Sequence, residues 1–85
     1  MNMQMNPQSH FESADLYLCA FLVSQGARLD GTTRDPRERV FFSLRREEGM
    51  DELLQQYWSN QPLLLTPSQL FSALKHLKSL IHSQR

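Results

Sequence analysis

Arg37-Glu38-Arg39-Val40-Phe41-Phe42-Ser43-Leu44-Arg45-Arg46 is the stretch on which the fold turns. Val40, Phe42 and Leu44 alternate with Arg39, Phe41, Ser43 and Arg45. A period of two predicts a strand over 38–46, with the first set on the core side and the second on an open face. That open face would carry arginines around one exposed phenylalanine. Fold and a candidate binding surface are therefore written in the same residues.

Immediately upstream, Arg34-Asp35-Pro36 reads as a turn, because Pro36 fixes its own φ and biases Asp35 away from helix. The partner strand then covers 27–33. Leu29 is its only sizeable apolar residue, which suits an edge position. A turn at Asp30-Gly31 is the other candidate, and it is disfavoured because it leaves almost no first strand. Farther upstream, 14–25 reads as a helix. Ser13 is placed as its N-cap, Asp15 sits in the first turn, and Gly26 supplies a left-handed stop. Leu16, Cys19, Ala20, Leu22 and Val23 fall on or near one face, and Leu18 and Phe21 widen it. A helix this apolar is either central to the core or turns one side to a partner.

Downstream, Met50, Leu53, Leu54, Tyr57 and Trp58 have amphipathic spacing and predict a helix over 50–59. Glu47, Glu48, Asp51 and Glu52 crowd its start, where negative charge suits the helix dipole. Trp58 shares a face with Met50 and Leu54 and is expected in the core. Residues 63–65 read as extended and buried, a short third strand beside the hairpin. Thr66, Pro67 and Gln69 then form a capping-box signal for the last helix, with Leu65 and Leu70 placed as a hydrophobic staple. Leu70, Phe71, Leu74, Leu77, Leu80 and Ile81 mark its buried side. Lys75, Lys78, His82 and Arg85 lie toward its C-terminal end. The expected architecture is a small single α+β domain in the order α-β-β-α-(short β)-α. Its helices pack on one face of a β-hairpin or three-stranded sheet.

The chain has 85 residues, 40% of them apolar, which suffices for one small core. Residues 1–10 are expected to be a mobile N-terminal tail, and 11–85 the domain. Residues 1–9 hold no basic residue and no continuous apolar core, so they do not read as a signal peptide. No apolar run approaches the roughly 18 residues that span a bilayer, so no membrane partner is expected. The one cysteine, Cys19, lies in an apolar run and reads as a small buried hydrophobe in a reducing, cytoplasmic setting.

Chemistry is sparse. Gly26, Gly31 and Gly49 are too dispersed for a phosphate loop. His76 and His82 are about 240° apart on a helix and cannot share a metal. The acids at 47–52 are accounted for by the helix dipole. No nucleophile motif surrounds Cys19 or the serines. The sequence therefore predicts no catalytic residue, cofactor or metal.

Charge is balanced overall, with nine basic and nine acidic residues, but it is unevenly placed. Residues 28–46 carry six arginines against Asp30, Asp35 and Glu38, whereas 47–52 carry four acids and no base. Arg37, Arg39, Phe41, Arg45 and Arg46, with Lys75 and Lys78, form a candidate binding surface. It could grip a phosphate backbone while Phe41 stacks on a base. A solvated strand face, whose arginines discourage edge pairing, is the simpler account and the preferred one.

Asp15-Leu16-Tyr17-Leu18-Cys19-Ala20-Phe21-Leu22, then Gly26, the strand Arg39-Val40-Phe41-Phe42, and Ala73-Leu74-Lys75-His76-Leu77-Lys78 carry a further signal. This order of motifs resembles a family of small bacterial domains catalogued as being of unknown function. The resemblance covers about residues 11–82. It implies the α+β fold and no catalytic residue. The expected function is binding without catalysis, to a protein partner or to a second copy in a homodimer. Nucleic-acid binding through the arginine-rich hairpin is the alternative.

Overall fold

The computed structural model describes residues 9–83. Residues 1–8 of the expected tail and Arg85 lie outside the described residues. The chain forms β1 (His10–Ser13), α1 (Leu16–Ser24), β2 (Leu29–Arg34), β3 (Val40–Arg45), α2 (Met50–Trp58) and α3 (Pro67–Ser83). It is an α+β domain with a three-stranded antiparallel sheet in the order β1-β3-β2.

The arginine-rich stretch is the central strand. Residues facing each other across an antiparallel ladder share a face of the sheet. Phe11 and Leu29 both pair with Leu44, and Ser13 and Thr32 pair with Phe42. Phe42 and Leu44 are fully buried, as their alternation predicts, while Val40 is only half-buried. On the other face, Glu12 and Gly31 pair with Ser43, His10 with Arg45, and Thr33 with Phe41.

The third strand corrects the sequence reading. Residues 63–65 form no strand, and the third strand is β1, at the opposite end of the chain. The domain therefore begins before residue 11, and the order is β-α-β-β-α-α. His10-Phe11-Glu12-Ser13 has one inward apolar residue, Phe11, too few for a period to show. Asp30-Gly31 also has a role other than a turn, because the register of β2 shifts between Leu29 and Gly31. This bulge absorbs the extra residue.

The hairpin turn is built around Asp35. Its carbonyl accepts the Glu38 N–H at 2.8 Å, and its N–H donates to the Arg39 carbonyl at 3.0 Å. Its Oδ1 accepts the N–H groups of Arg37 and Arg39 at 2.9 and 2.8 Å. The turn closes by placing Glu38 at φ 68°, in the left-handed region that favours glycine.

α1 starts two residues later than predicted, and Asp15 caps it in place of Ser13, accepting the Leu18 N–H at 3.2 Å. Ser13 Oγ instead accepts the Asp15 N–H at 3.0 Å. At the far end Gly26 takes φ 105°. The Ala27 N–H then reaches the Leu22 carbonyl and the Gly26 N–H the Val23 carbonyl, each at 3.0 Å, which is a Schellman stop. At the start of α3, the Thr66 carbonyl accepts from Gln69 and Leu70, and Pro67 opens the helix as its ring geometry favours.

One core joins Leu18, Cys19, Ala20, Phe21 and Leu22 of α1 to Phe42 and Leu44 of β3, Met50 and Leu54 of α2, and Ala73 and Leu77 of α3. α3 packs mainly on α1. Two aromatic expectations fail. Trp58 is 61% exposed and Phe71 63%. In α2 the inward stripe ends on Tyr57, which meets Phe21 at 5.6 Å between ring centroids, so Trp58 is turned outward beside Phe11. In α3, Ala73 and Leu77 set the buried direction, and Phe71 falls on its margin. No helix among the described residues is long and apolar enough to cross a membrane.

Candidate functional site

The sequence-predicted surface is distributed over several parts of the molecule. Phe41 and Arg45 lie on the open face of β3, as the alternation requires, and Arg39 joins them from the position just before the strand. The Arg39 guanidinium carbon lies 5.1 Å from the Phe41 ring centroid, a cation–π contact. Arg37 sits in the hairpin turn. Arg46 follows the strand and turns the other way, pairing with Asp51 of α2 and lying 5.7 Å from the Phe11 ring. Lys75 and Lys78 are exposed on α3, which packs on α1 and not on the hairpin. The lysines and the strand arginines thus belong to different parts of the domain.

Most of the arginine charge is already answered. Arg45 reaches Asp30 at 2.9 Å, Arg39 Asp35 at 3.3 Å, Arg34 Glu38 at 3.4 Å and Arg28 Glu47 at 3.9 Å, in addition to Arg46 with Asp51. Asp30 also meets His10 Nε2 at 2.8 Å, so one carboxylate links all three strands. The Arg45 hydrogen bond, supported by His10, holds the Asp30 carboxyl below its usual range against partial desolvation. Asp35 is lowered as well, first by the Arg39 N–H and then by the Arg39 guanidinium and the Arg37 N–H. Arg37, Lys75 and Lys78 make no ion pair among the described residues.

Sequence reasoning missed an apolar concavity. A groove of about 310 Å³ opens between α1, α3 and the segment before α3. Tyr17, Ala20 and Phe21 form one wall, and Leu70, Phe71 and Leu74 another. Tyr57, Leu63 and Leu65 complete it. Tyr17 and Phe71 are more than half exposed on its rim, and neighbouring Leu64 is 94% exposed. Desolvation raises the Tyr57 phenol above its usual range, with smaller contributions from Asp15 and Cys19. The signal in the sequence was the all-round apolar character of α1, which allows one side to remain uncovered.

A larger hollow of about 550 Å³ runs along α2, lined by Glu52, Gln55, Gln56, Trp58, Ser59 and Gln61. Its walls mix glutamine amides, the Glu52 carboxylate and the Ser59 hydroxyl with a single indole, so a ligand covering the apolar surface there would also strip water from polar groups. The groove is the better candidate despite its smaller volume, because the gain on burial scales with apolar area. Cys19 is buried away from both. Burial pushes its thiol up to about 11, and its Sγ faces the Ser13 carbonyl at 3.8 Å. Among the described residues, no three His, Cys, Asp or Glu side chains are placed to hold a metal ion.

Searches against protein-family models, curated proteins and solved structures find no match to this chain.

Proposed function

We propose that this is a small, non-catalytic interaction domain that binds another protein through the apolar groove of its helical side. The observation that carries the reading is the convergence of Tyr17 and Phe71, both more than half exposed, on a concavity lined by carbon. Large exposed apolar side chains gathered at one place mark contact surfaces. The groove's lining residues include no carboxylate, imidazole or amine, the groups that acid–base or nucleophilic chemistry would need.

In this reading the helices form one layer on the inner face of the sheet. A smallest dimension of 19 Å supports two layers, since a sheet and a packed helix stand about 10 Å apart. The resemblance to the small bacterial family rests on Leu18, Ala20, Leu22, Ala73 and Leu77, motif positions that are buried. Nucleic-acid binding through Arg39, Phe41 and Arg45 has less support. Arg39 and Arg45 already pair with Asp35 and Asp30, so a phosphate would have to displace a carboxylate at each.

Photo-crosslinking in the native host tests the proposal, with a benzophenone side chain placed at position 71 in one variant and at position 41 in another. Protein adducts from position 71 and none from 41 are expected. Adducts confined to position 41, or adducts to nucleic acid, would overturn it.

A further inference from the structure

We infer that the groove receives an amphipathic α-helix of a partner protein, its apolar stripe seated between α1 and α3 and its acidic flank on Lys75 and Lys78. The inference rests on the interaction reading above and names the chemistry of the partner. Residues at i, i+4 and i+7 on a helix lie along one strip. Phe71, Lys75 and Lys78 have that spacing, and Leu74 lies beside them. The two lysines therefore continue the groove's α3 wall toward the C-terminus of that helix. Both are exposed.

Two observations on charge select the partner. Neither lysine has a carboxylate partner among the described residues, whereas five of the six arginines at 28–46 do. From Leu53 to the end of the chain there is no aspartate or glutamate, so the α3 wall and the segment before it carry positive charge only, while Asp15 caps α1 on the opposite wall. A basic rim beside an apolar trough suits a ligand that is apolar along one stripe and acidic next to it, and it repels a basic one. From Leu70 to Lys78 the wall extends about 12 Å at helical rise, matching two turns of a docked helix with anchors at i, i+3 or i+4, and i+7. A second copy fits less well, because a two-fold contact across this wall sets lysine-bearing strips against each other.

The test is selection from a displayed library of helix-forming peptides with randomised faces, using the full chain as target. Enriched peptides should carry apolar residues at i, i+3 or i+4, and i+7, with Asp or Glu alongside. They should bind about tenfold more weakly to Lys75→Glu/Lys78→Glu, a change of exposed side chains that leaves the core intact. Phe71→Ser should abolish their binding. Peptides lost with Phe71→Ser but showing no acidic bias would overturn this inference and leave the interaction reading standing. Failure to enrich any peptide, or binding insensitive to Phe71→Ser, would overturn both. Sedimentation of the wild-type chain closes the remaining route. A dimer that Phe71→Ser dissociates would make a second copy the occupant and defeat the inference.

Discussion

His10 and Asp30 lie on strands that never touch, yet their side chains meet at 2.8 Å on the open face of the sheet. Asp30 reaches this position because the bulge between Leu29 and Gly31 turns it toward the central strand, where its other oxygen takes the Arg45 guanidinium at 2.9 Å. One carboxylate thus ties both edges of the sheet to its middle.

Acid should loosen this tie. Asp30 and Asp35 have folded-state values below their ordinary one. Their contribution to stability is complete above the unfolded-state value and is lost as pH falls through the folded one. Thermal melts should therefore decline below about pH 4. Asp30→Asn should melt lower than wild type at neutral pH and show a shallower acid decline. An unchanged acid slope would mean that Asp30 does not carry the effect.

The hairpin turn should tolerate improvement. Glu38 sits at φ 68°, and a side chain there costs about 1–2 kcal/mol that glycine avoids. Glycine gives back about 0.5–1 kcal/mol through the flexibility of the unfolded chain. Glu38→Gly should therefore stabilise the domain by about 0.5–1 kcal/mol in urea melts. The exposed Arg34 contact that it removes contributes little.

Adjacent phenylalanines should behave differently. Phe42 is fully buried, so Phe42→Ala should cost about 3–5 kcal/mol. Phe41 packs on Arg39 at the open face, and Phe41→Ala should cost less than half of that. Equal losses in denaturant melts would contradict the assignment of the two faces.

Cys19 should resist thiol reagents in the folded protein, since it is fully buried and its thiol is raised to about 11. Alkylation rates should follow global unfolding. A raised thiol stabilises the fold below the unfolded-state value near 9.0 and ceases to do so as pH rises toward 11. Melts should therefore weaken through that alkaline window, and Tyr57, raised in the same direction, adds to the effect.

Trp58, the single tryptophan, should report solvent. With 61% of its surface exposed, its emission should be that of a hydrated indole and readily quenched by iodide in the native state. A blue-shifted, protected emission would return it to the core.

Elements were legible in the sequence where a local signal was strong. Phe42 and Leu44 alternate in a run of β-formers, and Thr66-Pro67 marks a helix start by backbone geometry. Gly26 marks a stop for the same reason. β1 was not legible, because a four-residue strand with one inward apolar side chain has no period to detect, and its pairing with β3 is a tertiary event. Trp58 and Phe71 show the limit of helical faces read one at a time. Periodicity gives an angle around an axis, but the direction of the core is set by what packs there, Tyr57 on Phe21 in one case and Ala73 with Leu77 in the other. The all-round apolar character of α1 hinted at an uncovered side, but the groove itself could not be read, since its lining comes from four separate segments. Arg39 and Arg45 were placed on the correct strand face, but Arg46 turns away from it, and the carboxylates that answer these three come from a turn, a bulge and α2.

The pairing of β1 with β3 has a consequence for synthesis. β1 must wait for β3, which emerges only after α1 and β2 have left the ribosome. Meanwhile α1, apolar around most of its circumference, has no sheet to lie on and no α3 to flank it. The nascent chain therefore carries its stickiest segment uncovered until β3 and α3 have followed it out. That interval, more than the finished fold, is where this domain is most exposed to misassociation.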